Sequence, residues 1–225
     1  MILHIPEVLT ESEVVAFRGQ LEAASWLDGR ATAGHLASAV KANLQLAESD
    51  PVAQSLSQKL VGALERNYLF LNSALPRFVY PPVFNRYGVG MQYGAHVDNS
   101  IRQIPGIGLR IRTDVSATVF LSEPDSYIGG ELVIHDAYGT HSVRLAAGDM
   151  VIYPSTSVHR VNPVTSGTRL AAVFWVQSFV ADDGDRTLLF ELDKTYRELH
   201  ATLPDSPALI RLSQCYHNLL RRWTI

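Results

Sequence analysis

The stretch "LAAGDMVIYPSTSVHRVNPVTSGTRLAAVFWVQS", residues 145–178, sets the fold class. Its runs "MVIYP", "SVHRV" and "TRLAAVFWVQS" are rich in β-branched and aromatic residues, which fit a pleated, half-buried surface. Gly148–Asp149 and Thr165-Ser166-Gly167 separate them with residues that reverse a chain. The same texture extends upstream through "RFVYPPVFNRYG" (77–88), "SATVFLSE" (116–123) and "GGELVIHD" (129–136), with turn signals in "EPDSYIGG" and "AYGT". Many short strands at close spacing predict an all-β sandwich or barrel. Pro81–Pro82 should interrupt the first of them and mark it as an edge.

Outside this region the hydrophobic period becomes helical. "LTESEVVAFRGQLEAAS" opens with Thr10 and Glu13 spaced for a capping box, a Leu9–Val14 staple, and a stripe of Val14, Phe17, Leu21 and Ala24. "SDPVAQSLSQKLVGALERNYLF" has Asp50 as cap, Pro51 as first helical residue, and Val52, Leu56, Leu60 and Leu64 on one face. After residue 182, "DRTLLFELDKTYRELH" reads as a helix capped by Asp185. "SPALIRLSQCYHNLLRRW" starts at Ser206–Pro207 with a stripe of Leu209, Leu212, Tyr216, Leu219 and Trp223. The expected organisation is an N-terminal helical region over 1–76 packing on a β core over 77–180, followed by a C-terminal helical extension over 181–225.

With 225 residues, 47% of them hydrophobic and 18% charged, the chain can bury a full core. A net charge of −3 gives no electrostatic case for nucleic acid. The single cysteine, Cys215, excludes a disulfide framework and a cysteine-rich zinc site, and reads as a small core residue. No signal-peptide pattern and no membrane-length apolar run is visible, so no membrane association and a cytoplasmic location are expected.

The polar residues that carry chemistry lie in and around those strands. In "QYGAHVDNS", residues 92–100, His96 and Asp98 are two apart, so an extended backbone points both to one face. An imidazole and a carboxylate can bind a divalent metal, and a third ligand must come from elsewhere. His159 is the best candidate. Two histidines and one carboxylate leave three positions of an octahedral ion open, the facial arrangement of non-haem Fe(II) oxygenases. Arg169 follows after the Thr165–Gly167 turn, so the two strands read as a hairpin. A turn centred on residue 165 pairs Arg169 with Val161 and puts it on the face of His159, at an offset of roughly 7 Å by strand rise. A turn centred on residue 166 pairs it with Asn162, which need not. A guanidinium there would grip a ligand carboxylate through a bidentate, charge-assisted pair.

An HxD pair, a distal histidine and an arginine ten residues later resemble the Fe(II)/2-oxoglutarate-dependent dioxygenases. "NRYGVGMQYGAHVDNS", "RTDVSATVFLSEPDSYIGGELVI", the 145–178 stretch and "YHNLLRRW" closely resemble the bacterial PKHD-type hydroxylases, relatives of prolyl and lysyl hydroxylases. The likeness covers nearly the whole chain. It implies a mainly β protein with flanking helices and a double-stranded β-helix (jelly-roll) core. It implies Fe(II) held by His96, Asp98 and His159, with 2-oxoglutarate and O2 as co-substrates, Arg169 on the distal carboxylate of 2-oxoglutarate, and Tyr87 hydrogen-bonded to the same group. L-Ascorbate is a further cofactor of such enzymes. The resemblance implies hydroxylation of a small molecule, such as a siderophore, or of an amino-acid or peptidyl side chain, with release of succinate and CO2.

Tyr93, three residues before His96, is placed at the substrate mouth. The glycine-punctuated segment 99–114, with Arg102, Arg110 and Arg112, is read as a lid selecting an anionic or oxygen-rich substrate, against a solvated basic loop. His135, Asp136 and His141 read as solvated turn residues rather than a second metal site, and His217 as a hydrogen-bonding side chain. Two other classes compete with the oxygenase. A cupin-like metal or small-acid sensor would show HxH with a glutamate, and a zinc hydrolase would need a separate general base. The apolar stripe of the tail packs on its own core or forms a homo-oligomer.

Overall fold

The computed structural model describes residues 1–32 and 39–225. Its centre is two antiparallel sheets laid face to face. The larger has Leu3–Ile5, Met150–Pro154, Val115–Phe120, Arg169–Ser178, Val83–Tyr87, Leu44–Gln45 and Leu27–Asp28 as successive neighbours, and Pro76–Val79 pairs with the far half of Arg169–Ser178. The smaller runs Gly139–Val143, Leu132–Asp136, Val158–Val161, Gln92–His96 and Lys41–Ala42. This is a double-stranded β-helix with helices packed outside.

Alternation along the larger sheet explains why its strands lack an amphipathic pattern. Val115, Ala117 and Val119, with Met150, Ile152, Leu170, Ala172, Phe174 and Val176, face outward into a cluster with helical residues Val14, Phe17, Leu21, Leu56, Leu60, Leu64 and Phe70. The alternate residues Phe120, Val151, Tyr153 and Tyr87 face inward, against Leu132, Ile134 and Val161 of the smaller sheet. A sheet covered on both faces reads as continuous hydrophobic runs. The covering helices are Glu11–Glu22, Pro51–Arg66 and Tyr68–Ala74. Thr10 and Glu13 form the expected capping box, and Asp50 caps Val52 and Ala53 ahead of Pro51.

Several expectations are corrected. The stretch from Pro51 is two helices: Asn67 leaves the helical conformation and its side chain caps the second at Phe70. Asp182, not Asp185, caps the helix Asp183–Thr202, accepting from the Asp185 amide. Cys215 is exposed. Pro81–Pro82 do break the strand: among the described residues Pro76–Val79 before them pairs with Arg169–Ser178 alone, as an edge, whereas Val83–Tyr87 after them is internal, with neighbours on both sides.

The largest correction concerns the 145–178 stretch. Val158–Val161 and Arg169–Ser178 are not a hairpin: they belong to different sheets. Val164–Gly167 intervenes as a short strand pairing with Tyr127–Gly129, and it carries the chain across. Arg169 pairs with Tyr87 rather than with Val161 or Asn162. Gly167, at φ +75°, makes the corner: a Cβ there would lie 2.2 Å from the Ser126 carbonyl oxygen.

The tail helices Asp183–Thr202 and Pro207–Trp223 pack together. Tyr216, Leu219, Leu220 and Trp223 cover Leu75, Val180 and Leu189. The last helix is capped at Ser206 ahead of Pro207, as its sequence predicts. No described helix is long and apolar enough to cross a membrane.

Candidate active site

His96 and His159 are direct partners across adjacent antiparallel strands of the smaller sheet. Their rings lie 4.3 Å apart, tilted by 53°. Asp98 follows two residues on, just past the strand end, with its carboxylate 4.0 Å from His96 Nε2 and 3.7 Å from His159 Nε2. One ligand atom from each residue fits within 4.8 Å of the others, the only such metal-competent group of three or more among the described residues.

Surrounding bonds orient all three side chains. His96 Nδ1 donates to the Gly94 carbonyl at 2.8 Å, and His159 Nδ1 to the Ser157 carbonyl at 3.1 Å. Each ring is thereby held as the tautomer whose Nε2 lone pair is available to a metal. Asp98 Oδ2 accepts from Ser116 Oγ at 2.6 Å, and Ser116 in turn contacts Ser155 Oγ at 2.8 Å. Burial, then the neighbouring imidazole of His159, pushes the His96 pKa down to about 4, so the ring is neutral at pH 7, as a metal ligand must be.

Across the cavity, Arg169 opens the long strand of the larger sheet and is 1% exposed. Its guanidinium lies 5.3 Å from the ring centres of both Tyr87 and Phe120, and its Nε finds no hydrogen-bond partner among the described residues. A buried cation with an unused donor is costly unless a ligand anion completes it. The donor set therefore fits both groups: nitrogen and oxygen ligands with open positions for Fe(II), and an orphaned guanidinium for a carboxylate.

The other predicted residues divide. Tyr87 is buried beside Arg169, and Tyr93 stacks on His96 at 3.7 Å; both line the cavity. Within 99–114, Ile101–Gln103 and Arg110–Arg112 form a two-stranded ribbon. Arg102 reaches the cavity wall, stacked 3.8 Å over Trp175. Arg110 and Arg112 do not line it: Arg110 is exposed and Arg112 pairs with Asp114. His135, Asp136 and His141 sit on the Leu132–Val143 hairpin, where His141 pairs with Asp136 at 2.7 Å and His135 contacts Arg160. His217 is exposed beside the Tyr216 ring.

Sequence reasoning missed Lys41, Gln45, Asn85, Ser116, Tyr153 and Ser155. All but Ser155 line the cavity. Lys41 comes from a two-residue strand beside Gln92–His96, too short to register as a period. Ser116 carried a signal in its alternation with Val115 and Ala117, which puts a polar side chain on an inner face.

A model described as the 2OG-Fe(II) oxygenase superfamily matches residues 82–177, and one described as the PKHD-type hydroxylase C-terminal domain matches residues 183–224. The chain is 56% identical over 224 residues to a PKHD-type hydroxylase of Gluconobacter oxydans, covering 99% of each. It is 54% identical over 224 residues to one from Methylobacterium nodulans, again covering 99% of each. A crystal structure of a Pseudomonas putida prolyl-4-hydroxylase matches with a TM-score of 0.52 at 22% identity, over 79% of this chain and 92% of that one, which shows a shared fold. With relatives of that identity along its full length, the chain belongs to the PKHD-type hydroxylase family of Fe(II)- and 2-oxoglutarate-dependent oxygenases.

Proposed function

We propose that His96, Asp98 and His159 hold the ferrous ion of this oxygenase, and that Arg169, assisted by Tyr87, binds the distal carboxylate of 2-oxoglutarate. The observation that carries this reading is the convergence of two backbone-oriented imidazoles and one carboxylate opposite a buried arginine with an unused donor. When bound, Fe(II) and 2-oxoglutarate supply the oxidising chemistry that hydroxylates a substrate C–H bond, with release of succinate and CO2.

The chain's own contribution is positioning. Gly94 and Ser157 fix the imidazole tautomers, and Ser116 fixes the carboxylate. Tyr153, buried and bordering His159 at 5.1 Å, together with Phe120 and Leu132, keeps the inner end of the cavity dry. Tyr93 on His96 forms the wall a substrate passes. The substrate is a small molecule or an amino-acid or peptidyl side chain, and L-ascorbate would serve to keep the iron reduced. Full-length likeness to hydroxylases favours turnover over a cupin-like sensor.

Arg169→Ala tests the assignment. The 2-oxoglutarate concentration for half-maximal succinate release should rise by about 10- to 100-fold, the loss of one charged hydrogen-bonded pair of about 1.5–3 kcal/mol. Fe(II) affinity should stay within a few-fold. Unchanged 2-oxoglutarate dependence would remove Arg169 from the role.

A further inference from the structure

Arg169 has a polar neighbour that the site described above does not use. Tyr127 opens the short strand Tyr127–Gly129 and pairs there with Gly167, two residues before Arg169. Two glycines make room for it. A Cβ on Gly167 would lie 3.1 Å from Tyr127 Cβ, and one on Gly130 would lie 3.2 Å from Tyr127 Cε2 and 3.1 Å from Arg169 Cδ. The tyrosine ring and the arginine stem therefore meet over Gly130. Tyr127 is 2% exposed, and its hydroxyl finds no hydrogen-bond partner among the described residues; neither does Arg169 Nε.

A buried hydroxyl without a partner is costly, and a phenylalanine would fill the same space without that cost. Packing thus accounts for the ring and not for its oxygen. Two guanidiniums act on Tyr127. Arg144 lies 5.0 Å from the ring centre and is already engaged, donating to the carbonyls of Pro124, Tyr127 and Gly129 and to Glu131. Arg169 is the one with a donor to spare. Burial pushes the Tyr127 pKa up, against the pull of Arg169 and then of Arg144, so the hydroxyl is un-ionised at neutral pH. That bears on what Arg169 can hold. A neutral hydroxyl accepts from a guanidinium without cancelling its charge, whereas a carboxylate in its place would compete with an incoming acid. Tyr127 does not itself line the cavity, and Arg169 does, so the tyrosine reaches a ligand through the arginine.

We propose that Tyr127 is a positioning residue for the co-substrate: its hydroxyl oxygen takes one N–H of the Arg169 guanidinium while a carboxylate occupies the others, and so fixes the direction in which the arginine is presented. The assignment rests on the Arg169 reading and adds to it the group that aims the guanidinium. It acts on the distal carboxylate alone, because the keto-acid end of the co-substrate belongs to the metal.

2-Oxoglutarate and 2-oxovalerate share the metal-chelating keto acid, and only the first carries the distal carboxylate. Their dissociation constants are measured by calorimetry on the full chain loaded with Mn(II), for the unsubstituted protein, Tyr127→Phe and Arg169→Ala. Tyr127→Phe should raise the constant for 2-oxoglutarate by about 3- to 10-fold, as expected for one lost hydrogen bond, and leave that for 2-oxovalerate within about twofold. The thermal midpoint of the ligand-free variant should be no lower than that of the unsubstituted protein, because the hydroxyl removed has no partner there. An unchanged constant for 2-oxoglutarate overturns the proposal. So do equal losses for both acids, or a lowered midpoint, either of which marks a merely structural role. Arg169→Ala separates this from the reading beneath it. If that variant keeps the preference for 2-oxoglutarate over 2-oxovalerate, the Arg169 assignment fails. If it loses the preference while Tyr127→Phe retains it in full, only the role of Tyr127 fails.

Discussion

At the scale of single residues, the proposed site depends on which atom of each candidate ligand is already occupied. Both imidazoles spend Nδ1 on a main-chain carbonyl, so coordination through Nε2 needs no tautomer change. Ser116 holds Asp98 in the same way, from a side chain only 2% exposed. Ser116→Ala should weaken Fe(II) binding by about 10- to 100-fold, the usual cost of losing an outer partner. A Mn(II) titration followed by electron paramagnetic resonance measures it, and an unchanged affinity would mean that Asp98 is oriented by other contacts. His96 gives a pH prediction for the metal-free protein. Its folded pKa, about 4, lies below the 6.5 of an unperturbed ring. Between those values the unfolded chain binds more protons than the folded one, so stability falls as pH drops from about 6.5 towards 4 and is flat above. His96→Gln should flatten that part of a denaturation profile, and an equally steep profile in the variant would refute the cause. His96, Asp98 and His159 were legible together from residue type and i, i+2 spacing, and the structure brings one ligand-type atom of each within 4.8 Å of the others. Ser116 was not read, because a serine in a strand carries no chemistry until its neighbour is known.

At the scale of elements, the misread hairpin is instructive. Thr165-Ser166-Gly167 looks like a turn, and Gly167 does adopt positive φ. The preceding residues nevertheless pair with Tyr127–Gly129, a partner nearly 40 residues upstream that no local pattern reveals. The consequence is functional: Arg169 sits across the cavity from His159 on the other sheet, beside Tyr87, instead of alongside it. Gly130 protects that placement. It has φ +67°, and a Cβ there would lie 2.9 Å from Val164 Cγ2 and 3.1 Å from Arg169 Cδ. Gly130→Ala should cost about 1–2 kcal/mol in left-handed strain, lowering the thermal midpoint, and should weaken 2-oxoglutarate binding by displacing Arg169. A variant with wild-type affinity for the co-substrate would show that the guanidinium tolerates the shift. Helix boundaries were the most readable elements, because Thr10, Asp50 and Ser206 cap through their own side chains. The break at Asn67 was hidden by an uninterrupted apolar stripe.

At the scale of the whole molecule, the larger sheet serves two cores at once. Its outer face is sealed by the N-terminal helices, and its inner face supplies one wall of the cavity. The tail is tied to the same body: Trp223, Leu219 and Tyr216 cover Leu75 and Leu189, Arg77 donates to the Ile225 carbonyl at 2.7 Å, and Val180 bridges Thr224. Trp223→Ala should therefore lower global stability by about 2 kcal/mol, less than a fully buried aromatic because Trp223 is half-buried. Urea denaturation reads this, and no loss would mean that the tail is an appendage. The two sheets together support the proposed site: the smaller brings His96, Asp98 and His159 within 4.8 Å of one another, and the larger sets Arg169 opposite them. Anaerobic addition of Fe(II) and 2-oxoglutarate tests it most directly, by the weak visible charge-transfer band of their chelate. The band should form with the unsubstituted protein, vanish in His159→Ala, and require far more 2-oxoglutarate in Arg169→Ala. An unsubstituted protein that binds metal and acid without the band, or a His159→Ala variant that keeps it, would contradict the account.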